Sequence, residues 1–189
     1  MSNLAIHQIP VLGDNFIYLI HDSDSSETAA VDPAVAGPVM DALTQKGWTL
    51  SHILITHHHP DHTGGNLELK NETGCTIVGA ATDASRIPGI DVRLNEGDGI
   101  SIGGHEAKVF DVSGHTNGHI AFWFEGDNAL FSGDSLFSMG CGRLFEGTAE
   151  QMWTSLKKLR ALPDATQVYC AHEYTSSNAD FALTIEPDN

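Results

Sequence analysis

Short apolar runs separated by turn residues dominate the chain, and a few longer stretches carry helical spacing instead. Residues 4–9 and 16–21 are apolar and β-prone, with Gly13, Asp14 and Asn15 between them, which predicts a hairpin. Residues 28–31 read as a third strand, closed by Asp32 and Pro33. Apolar side chains at 35, 39, 42 and 43 share one helical face over residues 35–46, and Gly47 ends that helix. Residues 53–55 are a short buried strand that runs into a polar cluster. A helix over 66–73 follows Gly64 and Gly65, and 76–79 is a further strand. Residues 80–100 are rich in Gly and Asp and give no clear element. Strands are expected at 105–111, 119–124, 129–132 and 168–171. The clearest helix covers 148–161: Thr148 and Gln151 form a capping box, Met152, Leu156 and Leu159 share a face, and Pro163 stops it.

The strands fall into two groups, each followed by helices. That order predicts an α/β fold of two mixed β-sheets packed face to face with helices outside, a four-layer αββα sandwich. Four polar motifs begin where a strand ends, at 57–62, 115, 134 and 172. Strand ends converge on one edge of a sheet, so these positions can meet although they are far apart in the chain.

A length of 189 residues suits one domain with a real core, and 41% hydrophobic content is ordinary for a globular protein. No apolar run reaches membrane-spanning length, and the N-terminus lacks a basic region followed by an apolar one; a cytoplasmic location is the expectation. Three cysteines, Cys75, Cys141 and Cys170, cannot build a disulfide framework. Cys75 and Cys170 are expected as small buried residues, and Cys141, flanked by glycines, as a turn residue. A net charge of −16 should repel nucleic acid and anionic membrane surfaces, so neither is expected as a partner. The chain is expected to act as a monomer.

The chemistry concentrates in His57, His59, Asp61 and His62, spaced H-x-H-x-D-H. Imidazole and carboxylate together suit zinc, iron or manganese. His57 and His59 lie on one side of an extended backbone, and Pro60 turns the chain so that Asp61 and His62 address a second point. Adding the strand-end residues gives two groups of ligands. His57, His59 and His115 are assigned to a first metal, and Asp61, His62 and His172 to a second. Asp134 bridges, because a carboxylate can offer one oxygen to each cation. His58 faces away from His57 and His59 and is left out. Asp32 and His119 are expected behind the ligands, as hydrogen-bonding support. His7, His21, His52 and His105 read as structural or surface groups.

Five segments, THHHPDHTGG, SGHTNGHI, FSGDSLF, GCGRLFEGT and AHEYT, together resemble the metallo-β-lactamase superfamily, and within it the glyoxalase II (hydroxyacylglutathione hydrolase) family. The resemblance runs from about residue 8 to residue 182. It implies an αββα fold with two divalent metal ions, zinc first, with iron or manganese as alternatives. It implies hydrolysis of S-D-lactoylglutathione to D-lactate and glutathione in methylglyoxal detoxification, by a hydroxide held between the cations that attacks the thioester carbonyl. Asp61 and Asp134 would be the catalytic carboxylates, with Asp61 orienting the attacking water. Arg143, Leu144, Phe145 and Tyr174 match the family's glutathione-contacting positions. Arg143 would pair with a substrate carboxylate through its planar fork, and Tyr174 would donate a hydrogen bond.

The family usually continues into a helical C-terminal domain that adds basic residues for the substrate. Residues 1–189 carry the catalytic domain without it, whether as a fragment or as a naturally short form. Metal binding is expected to survive, with weaker affinity for the glutathione thioester. Ser113 stands where many relatives have proline, which should alter the stiffness of that loop. The alternatives are a mono-iron persulfide dioxygenase on the same scaffold and a truncated metal-binding domain with weak activity.

Overall fold

A computed structural model describes residues 4–188. Two sheets form the centre. The first has six strands in chain order, β1 (Ala5–Val11), β2 (Asn15–His21), β3 (Thr28–Val31), β4 (His52–Leu54), β5 (Thr76–Ala80) and β6 (Val92–Leu94). Its first two pairings are antiparallel and its last three parallel. The second sheet runs in the order β11 (Gln167–Cys170), β10 (Ala129–Gly133), β9 (Ile120–Phe124), β8 (His105–Asp111), β7 (Gly99–Ile102). Only its β10–β11 pair is parallel. Both sheets are mixed, as the order of elements predicted.

Three apolar layers follow from alternation along the strands. Tyr18, Ile20, Val31, Leu54 and Val78 from the first sheet meet Val109, Phe122, Phe124 and Phe131 from the second in one buried cluster between the sheets. The opposite side chains of the first sheet, Ile17, Leu19, Ile53 and Ile77, pack under α1 (Ala36–Lys46) and α3 (Asn66–Thr73), through Val39, Leu43 and Leu69. The outer face of the second sheet, with Ala121, Trp123 and Leu130, is covered by Leu159 of α4 (Ala149–Arg160). The four layers are therefore helix, sheet, sheet, helix.

Local chemistry sets the element ends. Gly47 takes the left-handed conformation that closes α1, at φ 67°. Thr148 accepts from the Gln151 N–H while Gln151 reaches back to the Thr148 N–H, so the capping box is complete. Two short strands, β6 and the start of β7, lie inside residues 80–100. So does a 3₁₀ turn at Ala81–Asp83. Two helices were not foreseen: the single turn α2 (Pro60–Thr63) inside the ligand cluster, and α5 (Thr175–Ile185), none of whose residues is buried. Cys75 is buried, Cys170 half-buried and Cys141 exposed. Among the described residues no helix is long and apolar enough to cross a membrane.

Candidate metal centre

Strands β3, β4, β10 and β11 all end on one edge of the sandwich, and the loop between β8 and β9 reaches the same place. The residues that follow those ends meet. Three nitrogens form one side of the cluster. His57 Nε2 lies 3.0 Å from His59 Nδ1, and His115 Nε2 lies 3.2 Å from the same atom. The other side holds Asp61, His62 and His172. Asp61 Oδ2 is 3.7 Å from His62 Nε2 and 3.5 Å from His172 Nε2. Asp134 lies between the two sides. Its Oδ2 is 3.3 Å from His115 Nε2, and its Oδ1 is 3.5 Å from His62 Nε2 and 3.4 Å from His172 Nε2.

Glycine makes this convergence possible at two points. A Cβ on Gly133, at φ 52°, would strike Thr56 Oγ1 at 2.4 Å and His119 beyond it. A Cβ on Gly142 would meet the Asp134 carbonyl oxygen at 2.0 Å and His115 Nδ1 at 2.9 Å. The chain at Gly142 can therefore pass against the Asp134 backbone only without a side chain.

The outward nitrogen of four of the five histidines already has a protein partner. His62 Nδ1 meets Asp32 Oδ2 at 3.1 Å, His172 Nδ1 meets Asp14 Oδ1 at 3.0 Å and His115 Nδ1 meets the Arg143 carbonyl at 2.7 Å. His57 Nδ1 lies 3.1 Å from Thr56 Oγ1. That hydroxyl gives its hydrogen to Asp32, so it accepts from the imidazole. With Nδ1 engaged from behind, the Nε2 of each of these four rings is the atom that faces inward. Fixing the tautomer from behind in this way is how metal-binding histidines are held.

Two inward atoms, His62 Nε2 and Asp134 Oδ1, are buried without a hydrogen-bond partner. A buried orphan of this kind costs ~1–3 kcal/mol. A divalent cation between them would satisfy both, so the residues fit a metal. The same groups perturb one another's titration. Burial opposes charge on His172, yet the close approach and charge of Asp134, with Asp14 and Asp61, raise its pKa to about 9. Burial likewise opposes Asp134 ionisation, but His172, His62 and His115 draw its carboxyl down to about 2. On the other side, burial holds the His57 imidazole well below its ordinary value. Three sets of groups, His57–His59–His115, His57–His62–Asp134 and Asp61–His62–His172, each bring their ligand atoms within 4.8 Å of one another.

Behind the ligands stand residues of two kinds. Asp32 and His119 were expected there. Asp32 sits at φ 49°, a left-handed conformation that Asp tolerates, and accepts from the Thr56 N–H, the Thr56 hydroxyl and His62. His119 Nε2 accepts from the Asp134 N–H at 3.0 Å. Asp14 and Asn15 were read only as a hairpin turn. Asp14 holds His172, and the Asn15 amide reaches Asp61 Oδ2 at 3.2 Å. The signal was available: two polar residues at a turn whose strand, β2, belongs to the sheet that carries the ligand loop. His58 does point away from the cluster, to Asp83, at 2.9 Å.

Of the positions expected to contact substrate, Phe145 and Tyr174 lie against the histidines of the cluster. Phe145, exposed, sets its ring edge-on to His59 and His115, with centroids 5.6 and 5.2 Å away. The Arg143 guanidinium lies 5.8 Å from the Phe145 ring centre. Tyr174 stacks on His172, with planes 2° apart and centroids at 5.1 Å. Leu144 is exposed beside them.

The metallo-beta-lactamase superfamily model matches residues 11–172, and the chain belongs to that superfamily. The solved structure of ETHE1 from Myxococcus xanthus aligns at a TM-score of 0.82 and 30% identity, covering 90% of this chain and 76% of that one. TTHA1623 in a di-iron-bound form aligns at 0.74 and 26% identity, covering 90% and 92%. A curated relative from Methylococcus capsulatus, named hydroxyacylglutathione hydrolase, is 66% identical over 186 residues, which cover 98% of this chain and 73% of the relative. That likeness places the chain in the hydroxyacylglutathione hydrolase family.

Proposed function

We propose that this chain hydrolyses the thioester of S-D-lactoylglutathione, releasing D-lactate and glutathione, with two divalent cations held by the seven side chains described. The observation that carries the reading is the two-sided cluster: three imidazole nitrogens on one side, two imidazoles and a carboxylate on the other, and the two oxygens of Asp134 divided between them. The name of the 66% identical relative supports the substrate, and the di-iron form of TTHA1623 supports a pair of metals. His57, His59 and His115 would hold one cation, Asp61, His62 and His172 the other, and Asp134 both. Zinc suits this donor set, and iron or manganese would also fit it. Such cations make water acidic enough to ionise near neutral pH and polarise a carbonyl oxygen.

The chain's own residues do the rest. Asp61, steadied by Asn15, turns its carboxylate toward the opening and orients the attacking water at the thioester carbon. Phe145 covers the His59 and His115 side and limits access of bulk water. Arg143 presents a planar fork for a glutathione carboxylate, and Tyr174, fixed against His172, presents a hydroxyl. The departing thiolate has a pKa of roughly 8.5, so no protein acid is needed to protonate it. Hydrolysis sets free one thiol per thioester cleaved, so release of free thiol reports the reaction. Thiol release from S-D-lactoylglutathione that stops on chelation and returns with added metal is the expected result. Chelation-insensitive release, or none, would reject the proposal.

A further inference from the structure

Arg86 is the hub of a network that no metal ligand uses. A guanidinium has five N–H donors, and all five are engaged. Nε and Nη2 donate to Asp83 Oδ1, Nη1 and Nη2 to the two oxygens of Glu146, and Nη1 also to His58 Nε2 at 3.1 Å. Because Arg86 can only donate, His58 Nε2 accepts, and His58 Nδ1–H donates to Asp83 Oδ2. Asp83 is buried, and Gly118 packs so close that a Cβ there would strike its carboxylate. Glu146 Oε2 accepts from the Asn117 N–H at 2.8 Å as well.

The network joins two pieces of the site. His58 lies between the ligands His57 and His59. Glu146 follows Arg143, Leu144 and Phe145, whose segment is also stitched to the His115 loop by Phe145 N–H and Glu146 N–H donating to the His115 carbonyl. An isolated exposed ion pair would count for little, but a bidentate pair inside a network constrains geometry.

We propose that Arg86, braced by Asp83 and His58, clamps Glu146 and so holds residues 143–145 in the position that binds the glutathione part of the substrate. Arg86 and Glu146 are positioning residues for that specificity, and the inference rests on the thioester hydrolase reading above. No side chain of the clamp touches the reacting carbonyl, so its loss acts first on recognition of the glutathione part.

The test uses Arg86→Ala and Glu146→Gln in the metal-loaded protein, with two substrates: S-D-lactoylglutathione and the D-lactoyl thioester of 2-mercaptoethanol, which lacks the peptide. KM for the glutathione thioester should rise about tenfold with kcat little changed. kcat/KM for the short thioester and the metal content should stay at wild-type values. Calorimetry with S-methylglutathione, a thioether that cannot be hydrolysed, should show a Kd weakened by about the same factor. Arg86→Lys, with three donors for five acceptor contacts, should fail to restore binding. Unchanged KM and Kd in both variants would overturn the proposal. So would equal losses on both substrates, which would mean general damage to the site. A wild-type protein that cleaves neither thioester overturns the hydrolase reading, and the clamp's role with it.

Discussion

His119 lies flat behind His57, ring centroids 4.6 Å apart and planes 15° from parallel, while its Nε2 accepts the Asp134 N–H. One buried imidazole thus supports a residue of the cluster from each of two separate loops. Burial lowers its pKa to about 3, so it stays an acceptor at neutral pH. His119→Ala would strand the Asp134 N–H and remove the backing of His57. A loss of ~1–3 kcal/mol is expected from the orphaned donor, together with weaker metal binding. Thermal denaturation of the metal-free variant reads the first effect, and an unchanged midpoint would show that the contact carries no stability.

Asp32 accepts three hydrogen bonds with two oxygens, one of them from His62. Asn at this position keeps the left-handed backbone but replaces one acceptor with a donor. Metal affinity of Asp32→Asn should fall about 10- to 100-fold, measured by competition with a chromophoric chelator. Wild-type affinity would mean that His62 is oriented by packing alone.

The Glu146 carboxyl is drawn down to about 2, first by the Arg86 hydrogen bonds and then by the Asn117 N–H. Its unfolded value is near ~4.3. The folded value is the lower one, so the stabilisation is fully present above ~4.3 and is lost as pH falls toward 2. The gap in melting temperature between metal-free wild type and Glu146→Gln should be widest above pH 5 and close on acidification. A gap independent of pH over that range would contradict the ionised pairing.

Much of this was legible in the chain because the physics was local. Thr148 and Gln151 announce α4 by a capping box, and the alternation of residues 105–111 announces β8. The H-x-H-x-D-H spacing fixes which side chains of 57–62 turn inward, since it depends only on strand pleat and the turn at Pro60. Pairings between distant segments were not legible. Asp14 meets His172 across 158 positions, and Arg86 meets Glu146 across 60. Neither pair has a spacing or a propensity that marks it; only the packed sandwich brings them together. The helix α5 was missed for a related reason: its apolar residues Phe181, Leu183 and Ile185 stay exposed and draw no helical stripe.

Seven side chains, His57, His59, Asp61, His62, His115, Asp134 and His172, are proposed to hold the two divalent cations that the thioester chemistry requires. The direct measurement is a titration of chelated protein with zinc, following thiol release from S-D-lactoylglutathione. Activity should climb with added metal and level off at about two equivalents per chain. A plateau at one equivalent, a requirement for a single iron, or activity in the absence of metal would contradict it.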